Sequence, residues 1–545
     1  MEAALRKIDA TLKAKGFRFA RPPAIYRGPV MVHGNEATVE IEIGDVTFAR
    51  LPIVRLIDRA KLPVKDLAHL VGDREVCYHG GSLVLDLYDP GGSVLRVLAD
   101  TATALADSFA GGASAEFERE LASYWQGNVV YFSIPRTASP AIVRGEAVPH
   151  SGAAEAGYVV VPEGTRPTLP KADRKPATII SLPRNLTHTA RFPLPNLAAV
   201  LDYLGTQTGL PAGWRPAVIS AAARGEQMFL SAPNAILGWR PEFPASIKVL
   251  LKAAGVRPEF IRRAIEKAPE QIGLDRLMGR EVDLTFCVNR NLAGDPSLVG
   301  KRVALVGCGT IGGYLARMLV QTGAGCGAPF TLYDTDKLSP GNLGRHLLGF
   351  PDLGKRKAEA LADHLRAFHP DVEVMPRIVD ATTDWPALEK ADIIIDATGE
   401  PNVATALNEL FLRSSRTGDE LALLHSFVFG NGVAGQSFLN IKDGHACYRC
   451  LKTAFDGQWR YSPLKDRSSP LREAPATCGE GGYVPFAVDA PSAAAGLALR
   501  ATLDWASGHP GARLRTVIVD HAAGCDKPPW VSPKPLAGCD ACGGT

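Results

Sequence analysis

Between Lys301 and Arg345 short apolar runs alternate with glycine-rich turns. Val303 to Val306 and Phe330 to Tyr333 are apolar at successive positions, the pattern of parallel strands covered on both faces. Tyr314 to Thr322, between them, reads as a helix, and Asp392 to Ala397 as a further buried strand. The N-terminal part has other periods. Residues 2–15 form an amphipathic helix, Thr38 to Ile43 alternate as in a half-buried strand, and Ile25 to Val32 and Val46 to Ile53 are strand candidates beside it. A helix over 93–110 closes this segment. Phe117 to Trp125 is amphipathic, Thr178 to Leu182 reads as a strand, and Leu197 to Leu204 and Ile247 to Ala254 as helices. The Gly-, Pro- and Ala-rich stretch from Gly145 to Pro176 predicts a long loop or a domain seam.

These periods predict three regions: an α+β domain over 1–112, a mixed α/β connecting or docking domain over 113–285, and an α/β domain with a Rossmann-like parallel sheet over 286–545. A length of 545 residues suits that number. The net charge of +3 is spread along the chain, which gives no reason to expect nucleic acid or a membrane as partner. No apolar run approaches the ~18 residues of a membrane span, and the N-terminus does not read as a secretory signal. A soluble, cytoplasmic protein is expected.

The chemistry begins in the turn after Val306. Gly307, Gly309 and Gly312 form GxGxxG between a strand and a helix, where backbone must approach a phosphate closely and helix N-terminal amides face an anion. Asp334 ends the next strand roughly twenty residues later, placed for a ribose hydroxyl. A nucleotide site is expected, and a nicotinamide oxidoreductase would share this much. Ten cysteines are too few for a disulfide framework in so long a chain. Four are paired, Cys447 with Cys450 and Cys539 with Cys542, at the C-x2-C spacing of thiolate ligands. They predict a four-thiolate Zn2+ site that staples the C-terminal tail to its domain.

The run Asp334, Thr335, Asp336, Lys337, Leu338, Ser339, Pro340, Gly341, Asn342, Leu343, Gly344, Arg345, with Lys357 after it, resembles the signature of the ThiF/MoeB/HesA family of ubiquitin-activating-enzyme-like proteins. The resemblance implies ATP and Mg2+. Gly307, Gly309, Gly312, Asp334, Asp336 and Asn342 would hold the nucleotide, and Arg345 and Lys357 would offset charge as a carboxylate attacks the α-phosphate. Arg290 matches an arginine that this family sends across a homodimer. The family's magnesium aspartate is replaced by Gly399, which leaves Asp396 or Glu400 for the metal. Cys478, in the glycine-rich stretch Ala474 to Pro485, lies where activating enzymes keep a thioester cysteine.

Leu67 to Tyr78, with His69 and Cys77, is similar to the active segment of bacterial ubiquitin-conjugating-enzyme-like domains, without the asparagine of the eukaryotic pattern. His69, His79 and Asp89 are the polar candidates near this nucleophile. The whole order resembles the conjugating-activating fusion proteins of bacterial CBASS and related antiphage ubiquitin-like operons. That implies adenylation of a ubiquitin-like protein, a thioester on Cys478, transfer to Cys77 and conjugation to an amine on a protein target. Two other readings share these motifs: MoeB- or ThiF-like adenylation of a sulfur-carrier protein, and a non-catalytic scaffold for a ubiquitin-like partner.

Overall fold

The computed structural model describes residues 2–58, 69–71, 74–79, 83–109, 113–149, 157–164, 174–189, 192–252, 257–416, 420–454, 457–468, 470–474 and 483–543. The chain divides into two compact units, 1–282 and 283–545. The regions expected over 1–112 and 113–285 thus share one unit, and the division at 282/283 lies close to the expected 285/286.

The first unit begins with α1 (Glu2–Ala14), followed by β1 (Arg18–Arg21), β2 (Ile25–Val32), β3 (Asn35–Glu42), β4 (Ile53–Leu56), β5 (Leu70–Val71) and β6 (Glu75–Val76). These strands form one sheet in the order β1-β2-β3-β4-β6-β5. Helix α2 (Pro90–Phe109) closes over it. Ile8 and Leu12 of α1 are buried with Val39 and Ile41 of β3 and with Val97 and Leu105 of α2. The strand expected over Val46 to Ile53 is absent. Asp45 Oδ1 accepts from the Thr47 amide at 2.9 Å and Asp45 Oδ2 from the Arg50 amide at 3.2 Å, so the chain turns and pairs again only at Ile53.

The amphipathic stretch 117–125 is two short helices, α3 (Ala113–Arg119) and α4 (Leu121–Trp125), interrupted at Glu120. Then come β7 (Asn128–Phe132), β8 (Ala141–Pro149), β9 (Tyr158–Pro162), β10 (Lys175–Ser181), α5 (Leu197–Thr206), α6 (Trp214–Ala223), β11 (Gln227–Ala232), β12 (Ala235–Glu242), α7 (Ala245–Lys252), α8 (Pro258–Lys267) and β13 (Gly273–Glu281). The seven strands close into a barrel, β10-β11-β12-β13-β7-β9-β8. The stretch 145–176, expected as a long loop or a domain seam, instead holds the rest of β8, all of β9 and the start of β10. Gly145 is a barrel-interior position. A Cβ there would lie 2.8 Å from Ile179 Cδ1 and 3.0 Å from the Val161 carbonyl oxygen, so the residue that suggested a loop is there for close packing. Phe132, Ile179, Phe229 and Leu277 fill the interior.

The second unit runs α9 (Leu284–Leu292), β14 (Val303–Val306), α10 (Thr310–Gln321), β15 (Phe330–Tyr333), α11 (Lys357–Phe368), β16 (Val374–Arg377), α12 (Trp385–Leu388), β17 (Ile393–Asp396), α13 (Pro401–Arg413), β18 (Ala422–Phe429), β19 (Ala434–Asn440), α14 (Asp489–Ala506) and β20 (Leu514–Ile518). Its sheet has the order β16-β15-β14-β17-β18-β19-β20. Strands β16 to β18 are parallel, whereas β19 and β20 pair antiparallel. The connection from β14 runs to β15 on one side and that from β17 to β18 on the other, which opens a crevice between the C-terminal ends of β14 and β17. Among the described residues, no helix is long and apolar enough to cross a membrane.

Candidate functional site

The crevice is a cleft of about 380 Å³ lined by Gly307, Gly309, Asp334, Asp336, Asn342 and Lys357, with Thr398 and Glu400 on the side of β17. Gly307 has φ +91°, and a Cβ there would meet the Thr398 backbone at 2.9 Å. Gly312 packs so closely that a Cβ would collide with the Gly307 carbonyl oxygen. Glycine is therefore required at both positions before any ligand is considered. Asp334 Oδ2 accepts from the Cys308 amide and Oδ1 from the Asp336 amide, each at 2.7 Å, so one carboxylate ties the glycine turn to the loop after β15. Burial pushes the Asp334 carboxyl up, opposed by those two amides and by Lys357. Lys357 opens α11, is buried, and places Nζ 3.0 Å from Asp336 Oδ2.

His346, which no sequence pattern marks, also lines the cleft. Its Nδ1 accepts from the Leu348 amide at 3.0 Å, so Nε2 carries the proton and donates to the Cys308 carbonyl oxygen at 2.8 Å. Burial depresses its pKa. Asn342 Oδ1 accepts from the Ser339 amide at 3.1 Å, which caps a tight turn. Arg345 is not among the residues lining the cleft. Its guanidinium lies 4.7 Å from the Phe486 ring centroid and 5.5 Å from that of Tyr483, and its buried Nε has no partner among the described residues. Arg290 is exposed on α9 and is likewise outside the cleft of its own chain.

A second cleft of about 380 Å³ shares Glu400 with the first and is walled by Asp396, His425, Phe427, Tyr448 and Trp459. Asp396 belongs to this side. Its Oδ2 lies 2.8 Å from His425 Nδ1, and its Oδ1 accepts from the Thr398 amide at 3.0 Å and hydroxyl at 2.6 Å. Of the two carboxylates considered for a metal, Glu400 lines both clefts and Asp396 only the second. Gly399 between them has φ +70°, a backbone that favours glycine over aspartate.

Cys447, Cys450, Cys539 and Cys542 bring their four Sγ atoms within 4.8 Å of one another. The separations Cys447 to Cys450 and Cys447 to Cys539 are 3.8 Å, and Cys450 to Cys542 is 3.6 Å. Four sulfurs about 2.3 Å from a tetrahedral ion would stand about 3.8 Å apart, so the cluster fits a metal of that geometry.

Cys478 lies outside the described residues. Ala474 and Tyr483 on either side form an antiparallel bridge, with the Ala474 amide 3.0 Å from the Tyr483 carbonyl oxygen, so the chain enters and leaves that segment at one place.

In the first unit Cys77 is exposed on the wall of a cleft of about 640 Å³ that also includes His69, His79, Arg96, Asp100 and Glu120. The Cys77 amide donates to the His69 carbonyl oxygen at 2.7 Å and extends the β5–β6 pairing outward. Asp89 does not line this cleft. It accepts from the Gly92 amide at 2.9 Å at the start of α2.

Residues 290–522 match the ThiF family, and residues 4–131 match prokaryotic E2 family B. The ATP-dependent ubiquitin transferase-like protein Cap2 of Pseudomonas aeruginosa is 29% identical over 96% of this chain and 97% of its own length. The protein of the same name in Escherichia coli is 38% identical over 31% of this chain and 29% of its own. Among solved structures, E. coli MccB is similar at 18% identity over 47% of this chain and 68% of its own, with a TM-score of 0.35, too slight a likeness to argue from. The chain joins a prokaryotic E2 family B domain to a ThiF family domain, and is an activating and conjugating enzyme in one polypeptide.

Proposed function

We propose that this enzyme adenylates the C-terminus of a ubiquitin-like protein, holds it as a thioester on Cys478, transfers it to Cys77 and conjugates it to an amine on a protein target. The observation that carries the reading is the pairing, in one chain, of a glycine-turn cleft holding a buried lysine with an exposed, unbridged cysteine on the wall of a separate cleft.

The chemistry follows from the groups present. The partner's terminal carboxylate oxygen bonds to the α-phosphorus of ATP and pyrophosphate leaves. Lys357 offsets the charge that gathers on the phosphates, and the Gly307 to Gly312 turn lets them approach the backbone. Mg2+, held by Glu400 at the edge of this cleft, would screen the phosphates as well. The aromatic cleft beyond Glu400 suits the partner's C-terminal peptide, since it opens beside the phosphate site. Cys478 sulfur then attacks the acyl carbon and AMP leaves. Cys77 sulfur displaces Cys478 in a near-neutral exchange of one thioester for another. Zn2+ on the four-cysteine cluster would secure the C-terminal tail. The active form is a homodimer in which Arg290 reaches the other protomer's cleft. The match of residues 4–131 to a conjugating family disfavours a chain that stops at the adenylate.

The test is a non-reducing gel of the chain with ATP, Mg2+ and the candidate ubiquitin-like protein. The expected result is a thiol-sensitive adduct that requires ATP, vanishes in Cys478→Ala and changes in level in Cys77→Ala. Continued pyrophosphate exchange with no adduct would replace this reading by sulfur-carrier activation. Silence in both assays would leave a scaffold.

A further inference from the structure

His69 stands opposite Cys77 in the β5–β6 hairpin: Leu70 pairs with Val76, and the next pair outward is His69 with Cys77, joined by the 2.7 Å amide-to-carbonyl hydrogen bond. Leu70 and Val76 are buried in the core, whereas His69 and Cys77 both line the cleft. His69 also has φ +62°, an uncommon backbone for a histidine. Glu120 holds it there. Glu120 Oε1 lies 2.8 Å from His69 Nδ1, and Oε2 accepts from the His69 amide at 3.1 Å and from the Tyr124 hydroxyl at 3.0 Å. Glu116 Oε2 is 3.6 Å from His69 Nε2 and is itself paired with Arg119. Glu116 and Glu120 thus both approach the ring and Tyr124 approaches Glu120, although the helix breaks at Glu120.

We propose that Glu120 is the positioning residue for His69, and that His69 moves the proton when a lysine amine attacks the acyl group on Cys77. This rests on the reading of Cys77 given above. The amine nitrogen bonds to the acyl carbon, the carbon–sulfur bond breaks, and the electron pair stays on Cys77 sulfur. The proton lost by nitrogen passes to His69 and from there to sulfur, restoring the thiol. Glu120 keeps Nδ1 occupied, so that the exchanging nitrogen is Nε2. Among the described residues, the other charged or titratable groups around this ring and cleft are Glu116, Arg119, Tyr124, Tyr78, His79, Arg96 and Asp100.

The test uses the full chain acylated at Cys77 by a glycine-ending peptide thioester of mercaptoethanesulfonate, with Cys77→Ala as the loading control. Discharge to free lysine and to dithiothreitol is followed by mass spectrometry between pH 7 and 9. In His69→Ala and Glu120→Gln, discharge to lysine falls by ~10²-fold at pH 7, the lower end of what general acid–base catalysis contributes, while discharge to dithiothreitol is unchanged. The deficit narrows as pH rises toward the amine's own pKa of about 10.4. Equal loss toward both acceptors would mean a merely structural role and would overturn the proposal. Lysine discharge as fast as in the parent would also overturn it and leave Cys77 as acceptor untouched. A parent whose acylated Cys77 passes nothing to lysine would overturn the reading of Cys77 and this proposal together.

Discussion

Lys357 Nζ lies 3.0 Å from Asp336 Oδ2 across the cleft that the glycine turn opens. The lysine is buried while its partner carboxylate is 67% exposed, so the pair keeps the ammonium aimed into the cleft rather than sealing it away. Replacing Lys357 with Ala is expected to lower ATP–pyrophosphate exchange by ~10²-fold, the usual effect of removing one group that stabilises developing charge. Lys357→Arg should recover only part of it, because a planar guanidinium does not fit the space of a buried ammonium. An unchanged exchange rate in Lys357→Ala would remove this residue from the chemistry.

Arg290 and Lys357 should complement each other across protomers. With Arg290 exposed on α9 and outside its own cleft, a mixture of Arg290→Ala and Lys357→Ala chains is expected to regain about a quarter of parental exchange activity, by random pairing of two-chain assemblies in which a site needs one group from each chain. Mixtures no better than either variant alone would place the two residues in the same protomer's site.

His346 makes the second unit sensitive to mild acid. Burial lowers its pKa in the folded state below the ordinary value near 6.5, so the unfolded chain binds the proton first. Its contribution is fully present above about pH 6.5 and is lost as pH falls from there toward the lower folded value. The melting temperature of the parent should therefore drop more between pH 7.5 and pH 5.5 than that of His346→Gln, as followed by calorimetry. Equal slopes would mean that His346 does not titrate in this range.

The four-cysteine cluster should carry one zinc ion per chain by elemental analysis, and Cys539→Ser should carry none. If binding stabilises the folded state by about 4 kcal/mol, as at a thousandfold excess over the dissociation constant, its loss lowers the melting temperature by roughly 5–15 °C. Metal-free parent protein with an unchanged melting temperature would leave a cluster of reduced thiols.

Glu226 anchors the barrel. Burial would raise its pKa, but hydrogen bonds from Arg224, Arg144 and Thr178 overcome that and hold it to about 2. Because the folded value lies below the unfolded one, this stabilisation is present above about pH 4.3 and is lost as pH falls toward the folded pKa. Glu226→Gln should cost about 1–3 kcal/mol in urea unfolding at pH 7. That is less than the loss of a fully enclosed pair, because Arg144 and Arg224 are 38% and 49% exposed and can rehydrate. A change under ~0.5 kcal/mol would make the cluster incidental.

Local patterns carried the glycine-turn cleft and the four-cysteine cluster. Val303 to Val306 and Phe330 to Tyr333 are strands with those bounds, and Gly307, Gly309 and Asp334 line one cleft as their spacing implied, because a strand–turn–helix unit is determined within some thirty residues. The paired cysteines likewise announce their own proximity within each turn. What these patterns could not show was contact between residues distant in sequence. Glu120 reaches His69 from 51 positions away, and its only trace is the four-residue spacing of Glu116, Glu120 and Tyr124. Gly145 looked like loop until the side chains of Ile134 and Ile179 closed around it in the barrel. Asp396 was a reasonable metal ligand until His425, on the neighbouring strand, took its free oxygen. By itself the sequence determined the two families, the glycine turn and the pairing of the cysteines, since each depends on residue types at short spacing. Only the tertiary structure decided which acid supports which base and which carboxylate faces which cleft, because those choices depend on strand pairing and helix packing between distant segments.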